Sequence, residues 1–289
     1  MSDDSPLIEH FYDEPTGTIS YVVTDPVTGY AAVVDPVLGY DPVSGRTDSA
    51  PARRLLDHID GHDLRLQWIL ETHAHADHLT AAQWIKQSHG GTVAIGEGIR
   101  SVQAHFAAVF NLGPPFVADG NQFDHLFEDG EVFQIGAIEC RVMATPGHTR
   151  DSISYMIGDA VFVGDSLFME DFGTARCDFP GGDARQLYRS IQALFALPEQ
   201  TRLYMCHDYQ PGGRPLHWVS TIADQKRANI HVGSGITEDE FVAMRTQRDR
   251  ELGLPRLIVP AIQVNIRAGH LPDAEENGTV FLKTPVDKL

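Results

Sequence analysis

Apolar residues form short runs along the first two thirds of the chain, and glycine, proline or aspartate separates one run from the next. Runs of this length predict β-strands, and the short breaks between neighbouring runs predict hairpins. The three hairpins predicted in this way are 18–24 with 30–34, 131–135 with 138–144, and 152–157 with 160–163. Strands without an adjacent partner are predicted at 66–70, 92–95 and 202–206.

Elsewhere the apolar residues recur every three or four positions, which is the spacing of an amphipathic helix. Helices are predicted at 53–59, 79–88, 99–110, 184–197, 218–228 and 238–251, and loops at 39–49, 111–124 and 171–182. Because hairpins join the early strands and helices come from both halves, we expect an α+β fold with two sheets sandwiched between helices. We expect residues 7–289 to form a single domain with a carboxyl-terminal extension from about residue 217.

The charge balance limits the partners. The 289 residues carry a net charge of −18 and no basic cluster, so nucleic acid and anionic membranes are poor partners. The amino terminus does not resemble a secretory signal, and no apolar run approaches the roughly 20 residues that span a bilayer. Three scattered cysteines, Cys140, Cys177 and Cys206, favour a reducing compartment. We therefore expect a cytoplasmic protein.

The most informative stretch runs from residue 70 to 80 and reads Leu-Glu-Thr-His-Ala-His-Ala-Asp-His-Leu-Thr. It follows a predicted strand and carries four potential metal ligands, His73, His75, Asp77 and His78. Three more potential ligands follow later strands, namely His148, Asp165 and His207. Each of these three alone is explained by a turn, a helix cap or a buried polar residue. Together, imidazoles and carboxylates at strand ends predict one site for zinc, iron, manganese or nickel.

The histidine motif, the histidine of Thr-Pro-Gly-His-Thr, Asp165 and His207 occur in an order that resembles the metallo-β-lactamase superfamily. The resemblance covers roughly residues 15–215. It implies an αββα sandwich with a metal site on the rim between the two sheets. Because one fold serves many reactions, the resemblance leaves the chemistry open.

In one arrangement all seven side chains bind two ions about 4 Å apart, which hold a hydroxide for attack on an acyl or phosphoryl group. One zinc ion is then held by His73, His75 and His148, the other by Asp77, His78 and His207, and the bridge is Asp165. This would be a thioesterase of the glyoxalase II type.

In the other arrangement a single Fe(II) is held by His73, His148 and Asp165. Two histidines and one carboxylate leave adjacent positions open, as in non-haem iron oxygenases. The remaining four side chains then orient the ligands through hydrogen bonds, and they are His75, Asp77, His78 and His207.

Two segments around the ligands, Gly-Thr-Ala-Arg-Cys-Asp-Phe and Cys-His-Asp-Tyr, resemble the persulfide dioxygenase family. Residues 260–269 resemble the bacterial branch of the same family. This resemblance implies oxidation of glutathione persulfide by O₂, with Arg176, Asp178 and Tyr209 beside the metal as catalytic or substrate-binding residues. Cys177 receives no role. The basic and aromatic carboxyl-terminal contacts of glyoxalase II are not recognisable in the sequence.

Glutathione carries two carboxylates, and an acidic protein needs local cations to bind them. Arg214 and Arg267 are the candidates, because a planar guanidinium pairs with a carboxylate through two parallel hydrogen bonds. Ordinary surface ion pairs are the alternative for both arginines. The apolar segment 255–266 is expected either to contact a second subunit, as in a homodimer, or to fold back over the site.

Overall fold

The computed structural model describes residues 5–288. Its strands are β1 (Leu7–Asp13), β2 (Thr18–Thr24), β3 (Tyr30–Val34), β4 (Val37–Asp41), β5 (Arg46–Asp48), β6 (Arg65–Leu70), β7 (Leu79–Thr80), β8 (Thr92–Gly96), β9 (His125–Phe127), β10 (Val132–Ile135), β11 (Ile138–Ala144), β12 (Ile153–Ile157), β13 (Ala160–Phe162), β14 (Arg202–Tyr204) and β15 (Val219–Thr221). Its α-helices are α1 (Ala50–Gly61), α2 (Ala82–His89), α3 (Ile99–Phe110), α4 (Ala184–Phe195), α5 (Ile222–Ala228), α6 (Glu238–Asp249) and α7 (Ile258–Asn265).

Two six-stranded sheets form the centre of the fold, with strand orders β1-β2-β3-β6-β8-β9 and β10-β11-β12-β13-β14-β15. Alternate residues of a strand face opposite sides of its sheet, so neighbours in β2 enter different layers. Val23 packs between the sheets with Tyr155 and Phe162, whereas Val22 packs outward against helix residues such as Leu55. With a third apolar layer under α4 and α6, the result is the expected αββα sandwich.

The three predicted hairpins are confirmed, with β2 paired to β3, β10 to β11 and β12 to β13. The helix predicted at 99–110 is also found with those bounds. The predicted loop at 39–49 is wrong, because β4 and β5 pair there through Gly39 and Asp48. The helix predicted at 79–88 begins only at Ala82, after a short strand, and that predicted at 218–228 begins at Ile222.

The apolar segment near the carboxyl end folds back onto the rest of the chain. Residues 258–265 form α7, most of whose residues are buried. The Asn265 side-chain amide donates hydrogen bonds of 2.8 Å to the backbone oxygens of His75 and of His78, and its oxygen accepts one from the Thr80 backbone. The contact within the chain that was expected for this segment is observed, and the homodimer stays a prediction. Within residues 5–288, no helix has both the length and the apolarity needed to span a bilayer.

Candidate metal centre

Polar segments that follow four strands meet at one edge of the two sheets. The strands and the potential ligands that follow them are β6 with His73, His75, Asp77 and His78, β11 with His148, β13 with Asp165, and β14 with His207. The seven predicted side chains are thus brought together, although they are far apart in the sequence.

Three of the seven side chains, His73, His148 and Asp165, form a compact group. Their potential ligand atoms all lie within 4.8 Å of one another, and all three residues are buried. Asp165 Oδ2 lies 3.9 Å from His73 Nε2 and 3.6 Å from His148 Nε2. Two imidazoles and one carboxylate at this spacing form a suitable site for a transition metal.

Hydrogen bonds fix which imidazole nitrogens face the site. His148 Nδ1 lies 2.7 Å from the backbone oxygen of Arg176, and a carbonyl oxygen can only accept, so Nδ1 carries the proton. The lone pair of His148 is therefore on Nε2, towards Asp165. Burial lowers the pKa of His73 well below its usual range, and neighbouring His75 lowers it further. Both effects keep the imidazole of His73 neutral, as a metal ligand must be.

His148 sits on a tight turn against α4. Gly147 has a φ of +136°, and a Cβ placed there would lie 2.3 Å from the backbone nitrogen of Leu187. The Gly147 oxygen accepts a hydrogen bond from the Asp183 backbone, which precedes that helix. The Thr-Pro-Gly segment therefore requires glycine at position 147, because a side chain there would prevent the close packing against α4 that positions His148.

The other four predicted side chains surround this group. His75 Nε2 donates to Asp35 Oδ1 at 2.9 Å, and His207 Nδ1 donates to the Gly17 oxygen at 3.2 Å. The opposite nitrogens of both rings, together with His78 Nε2 and Asp165 Oδ1, are buried without a hydrogen-bond partner among residues 5–288. Unpartnered buried polar atoms are costly, so this donor set fits a bound cation.

A second ion would need its own group of ligands. His75, Asp77 and His78 lie within 4.8 Å of one another. The trio proposed for the second ion, Asp77, His78 and His207, does not reach that spacing in the described part of the chain. His207 Nε2 is instead 3.4 Å from Asp165 Oδ1 and 3.5 Å from Asp77 Oδ2.

Two buried carboxylates that sequence reasoning missed support the histidine loop. Asp35 Oδ1 accepts from His75 and from the backbone of Thr72, at 2.9 and 2.7 Å. Burial raises the pKa of Glu71 well above its usual range, and Asp35 raises it further. The sequence signal for Asp35 was its position directly after an apolar strand, because the other site residues also follow strand ends.

A cavity of about 380 Å³ opens over the metal-binding group. Asp77, His148 and Asp165 lie in its lining. Its lining includes four aromatic residues, Phe168, Phe172, Phe179 and Tyr209, and its cationic residues are Arg176, Arg245, Arg248 and Arg256.

Of the residues predicted beside the metal, Tyr209 and Arg176 line the cavity and Asp178 does not. The Tyr209 ring is stacked on His207 with centroids 5.5 Å apart. Arg176 donates to both oxygens of Asp178 at 2.6 and 2.8 Å, and to the Gly253 oxygen at 2.6 Å. Asp178 therefore orients Arg176, and its predicted direct role is not supported.

The two arginines predicted to bind substrate carboxylates lie elsewhere. Arg214 forms 2.7 Å hydrogen bonds to both oxygens of buried Asp208 and also pairs with Asp171, so its donors are engaged. Arg267 donates to the Gln263 oxygen, lies over the Phe116 ring, and lines a different cavity. The side chains of Asn265 and Arg267 point in different directions from the end of α7. Their spacing along the sequence does not reveal this.

Arg214→Ala is expected to lower the free energy of unfolding by about 3 kcal/mol or more, because it leaves the buried Asp208 carboxylate without its counter-ion. Urea denaturation followed by circular dichroism measures the change. Arg227→Ala is the control, since its pair with Asp224 is at the surface and is worth about 0.5 kcal/mol. Equal changes in the two variants would show that the Arg214 pair stabilises the fold no more than a surface pair does.

Three cavity arginines, Arg245, Arg248 and Arg256, were not anticipated. The first two are three positions apart on α6 and so share a face of that helix. Arg245 is buried and donates to Asp249 at 2.7 Å and to the Thr174 oxygen at 3.0 Å. The helix was predicted, but a periodic pattern does not reveal which site its polar face meets.

Two sheets between helices, with imidazoles and carboxylates converging at one edge, define a class of metal-dependent enzymes. A family model described as the metallo-beta-lactamase superfamily matches residues 14–207. The chain belongs to this superfamily.

Relatives named as hydrolases or as a glyoxylase match this chain over nearly its full length. A probable metallo-hydrolase of Burkholderia pseudomallei is 51% identical and covers 98% of this chain, which covers 99% of that protein. A protein of Dictyostelium discoideum called glyoxylase B2 is 46% identical, with 98% of this chain and 97% of that protein covered. The chain spans only 65% of the length of a beta-lactamase hydrolase-like protein of Agrobacterium fabrum, to which it is 50% identical.

Other similar proteins carry a different name. Human mitochondrial persulfide dioxygenase ETHE1 is 27% identical, with 91% of this chain and 89% of that protein covered. The crystal structure of ETHE1 from Myxococcus xanthus superposes with a TM-score of 0.73 at 32% identity, covering 91% of this chain and all of that one. The fold is thus shared with proteins that carry either name.

Proposed function

We propose that the protein is an Fe(II)-dependent persulfide dioxygenase that converts glutathione persulfide, O₂ and water into glutathione and sulfite. The outer sulfur loses four electrons, both oxygen atoms of O₂ are transferred to it, and water supplies the third oxygen of sulfite. The observation that carries the proposal is that His73, His148 and Asp165 form a group that can hold a single ion, whereas the trio proposed for a second ion does not reach that spacing in the described residues. Similarity to proteins called ETHE1 supports it.

Iron held by these residues would supply adjacent open positions for the persulfide and O₂. The protein's own contribution is orientation. The backbone oxygen of Arg176 fixes the His148 tautomer, and the rings of Phe168 and Phe172 line the cavity beside Asp165. Holding both reactants in one cavity replaces a bimolecular encounter.

A binuclear zinc thioesterase of the glyoxalase II type is the second candidate. Unpartnered buried nitrogens on His78 and His207 favour it, because they are suitable ligands for a second ion. The hydrolase names of several relatives also favour it. The cavity arginines remove one argument against it, since the carboxyl-terminal part of the chain does supply basic residues to the site.

Metal analysis of anaerobically purified protein, combined with an oxygen electrode, tests the proposal. One iron per chain and O₂ uptake that depends on glutathione persulfide are expected. His148→Ala is expected to remove the iron, whereas His78→Ala is expected to retain it. Two zinc ions per chain, loss of one of them in His78→Ala, and thioester cleavage without O₂ uptake would establish the hydrolase instead.

Tyr209→Phe is expected to lower kcat by about tenfold while iron content stays unchanged. Tyr209 lies in the lining of the cavity, and its hydroxyl makes no hydrogen bond to any described residue, so it is available to donate to the reacting oxygen. One donor in a water-excluded site contributes about a hundred- to a thousandfold to rate, and a smaller effect is expected here because Tyr209 is 46% exposed to solvent. Steady-state O₂ uptake with parallel iron determination measures the effect, and Tyr12→Phe is a control outside the cavity lining. An unchanged kcat would exclude a role for the hydroxyl.

A further inference from the structure

We propose that Arg245 and Asp249, a buried ion pair on α6, are positioning residues for the metal ligand His148. They hold the backbone of residues 173–177, and this segment supplies the oxygen that orients the His148 ring. The inference goes beyond the proposed function, because it requires only that His148 binds a metal ion. It therefore applies to either candidate reaction.

The 173–177 segment is linked to the metal centre through the backbone oxygen of Arg176. This oxygen accepts a hydrogen bond from His148 Nδ1 at 2.7 Å, which leaves Nε2 facing Asp165. Residues 173–177 belong to no helix or strand, so the partners of their backbone groups come from elsewhere in the chain. The bonds made to this segment therefore set the position of the Arg176 oxygen.

Two of these bonds come from the ion pair on α6. Asp249 Oδ2 accepts from the Cys177 backbone nitrogen at 2.9 Å, one residue beyond Arg176. Arg245 Nη1 donates to the Thr174 oxygen at 3.0 Å, two residues before Arg176. Arg245 Nε also donates to Asp249 Oδ1 at 2.7 Å. The pair thus acts as one unit that bonds the segment on both sides of the oxygen that orients His148.

Two residues that precede α6 bond the beginning of the same segment. The Asn229 side-chain amide donates to the Gly173 oxygen at 3.1 Å, and His231 Nδ1 accepts from the Thr174 backbone nitrogen at 3.0 Å. Burial lowers the pKa of His231 to about 4, so its Nδ1 remains an acceptor at neutral pH. Gly173 has a φ of +94°, and a side chain there would overlap the His231 ring. The segment is therefore packed directly against these side chains.

The burial of the pair favours a positioning role over one in stability alone. Arg245 is 1% exposed and Asp249 is 5% exposed. Apolar residues of similar volume commonly stabilise a fold at least as well as a buried ion pair. Directed bonds to the backbone of an irregular segment, by contrast, require polar atoms. These side chains all lie beyond residue 207, where the match to the family model ends.

The double variant Arg245→Met with Asp249→Leu tests the role without leaving an unpaired buried charge. Its stability in the metal-free state, measured by urea denaturation, is expected to be close to that of the parent. Its affinity for Co²⁺, measured by titrating the metal-free protein and following the visible absorption bands, is expected to fall about tenfold. This is the lower end of the loss caused by removing groups that orient metal ligands. The bands of bound Co²⁺ are expected to shift as well.

Arg245→Met and Arg245→Lys provide a second comparison, which does not depend on the folding of the double variant. A lysine can still donate to the Thr174 oxygen and pair with Asp249, so it is expected to restore most of the Co²⁺ affinity that methionine loses. Glu238→Gln is the control, because Glu238 pairs α6 with Arg185 of α4 and does not contact the segment. Its Co²⁺ affinity is expected to be unchanged.

Unchanged Co²⁺ affinity in the double variant would overturn the positioning role, as would equal losses in Arg245→Met and Arg245→Lys. So would a loss of affinity that appears only in variants whose metal-free form is also less stable. Co²⁺ binding is measured without O₂. A protein with the expected affinities that consumes no O₂ would therefore refute only the dioxygenase.

Discussion

Asp165→Ala is expected to abolish metal binding and to reduce turnover by more than about a hundredfold. A loss of about a hundredfold is the upper limit for residues that only orient metal ligands. A larger loss is expected for Asp165 because its carboxylate lies close enough to His73 and His148 to bind the same ion. Metal content per chain and O₂ uptake measure the two effects. The metal-free variant is expected to be at least as stable as the metal-free parent, because Asp165 Oδ1 is buried without a partner.

Asp159→Ala is the matched control for Asp165. Asp159 precedes β13 and Asp165 follows it, but Asp159 is exposed and pairs with Arg202 at the surface. This variant is expected to retain its metal and its activity. Retention of both properties by Asp165→Ala would place the metal elsewhere and would contradict both candidate functions.

Gly147→Ala is expected to lower the free energy of unfolding by about 3 kcal/mol or more. The added Cβ would lie 2.3 and 2.4 Å from backbone atoms of Leu187, which a helix cannot easily move, and the φ of +136° is unfavourable for alanine. Since His148 is the next residue, reduced metal affinity is expected as well. Urea denaturation of the metal-free protein isolates the effect on folding.

Gly130→Ala separates the two causes. Gly130 also has a positive φ, at +77°, but a Cβ there meets nothing within 4 Å. This variant is expected to lose only about 1 kcal/mol, the cost of the backbone conformation. If Gly147→Ala costs no more than Gly130→Ala, then close packing against α4 does not position His148.

The sequence predicted those parts of the fold whose strands bury at least one apolar face. All seven residues of β2 are buried, so its run of apolar residues was easy to recognise, as was the hairpin with β3. Strand β5, by contrast, is fully exposed and reads Arg-Thr-Asp, which carries no strand signal. Its pairing with β4 comes from backbone hydrogen bonds, which a pattern of side chains does not reveal.

The candidate site was also predicted only in part. Its ligands were predictable because each follows a strand end and the sequence motifs around them are specific. The substrate side was not, because it depends on which distant segments pack over the cavity. The sequence did not reveal that Arg214 pairs with Asp171 and Asp208 on other loops. Arg248 was not anticipated, because the sequence does not show which site the polar face of α6 meets.

The Asn265 amide has a consequence for how the protein is made. It is the hydrogen-bond donor for two carbonyls of the histidine loop, and it is translated long after that loop. During synthesis, the amino-terminal sheet can assemble while these carbonyls are still exposed to water. We therefore expect a ribosome-bound chain ending before α7 to capture its metal poorly, so that the ion is acquired only once translation is nearly complete.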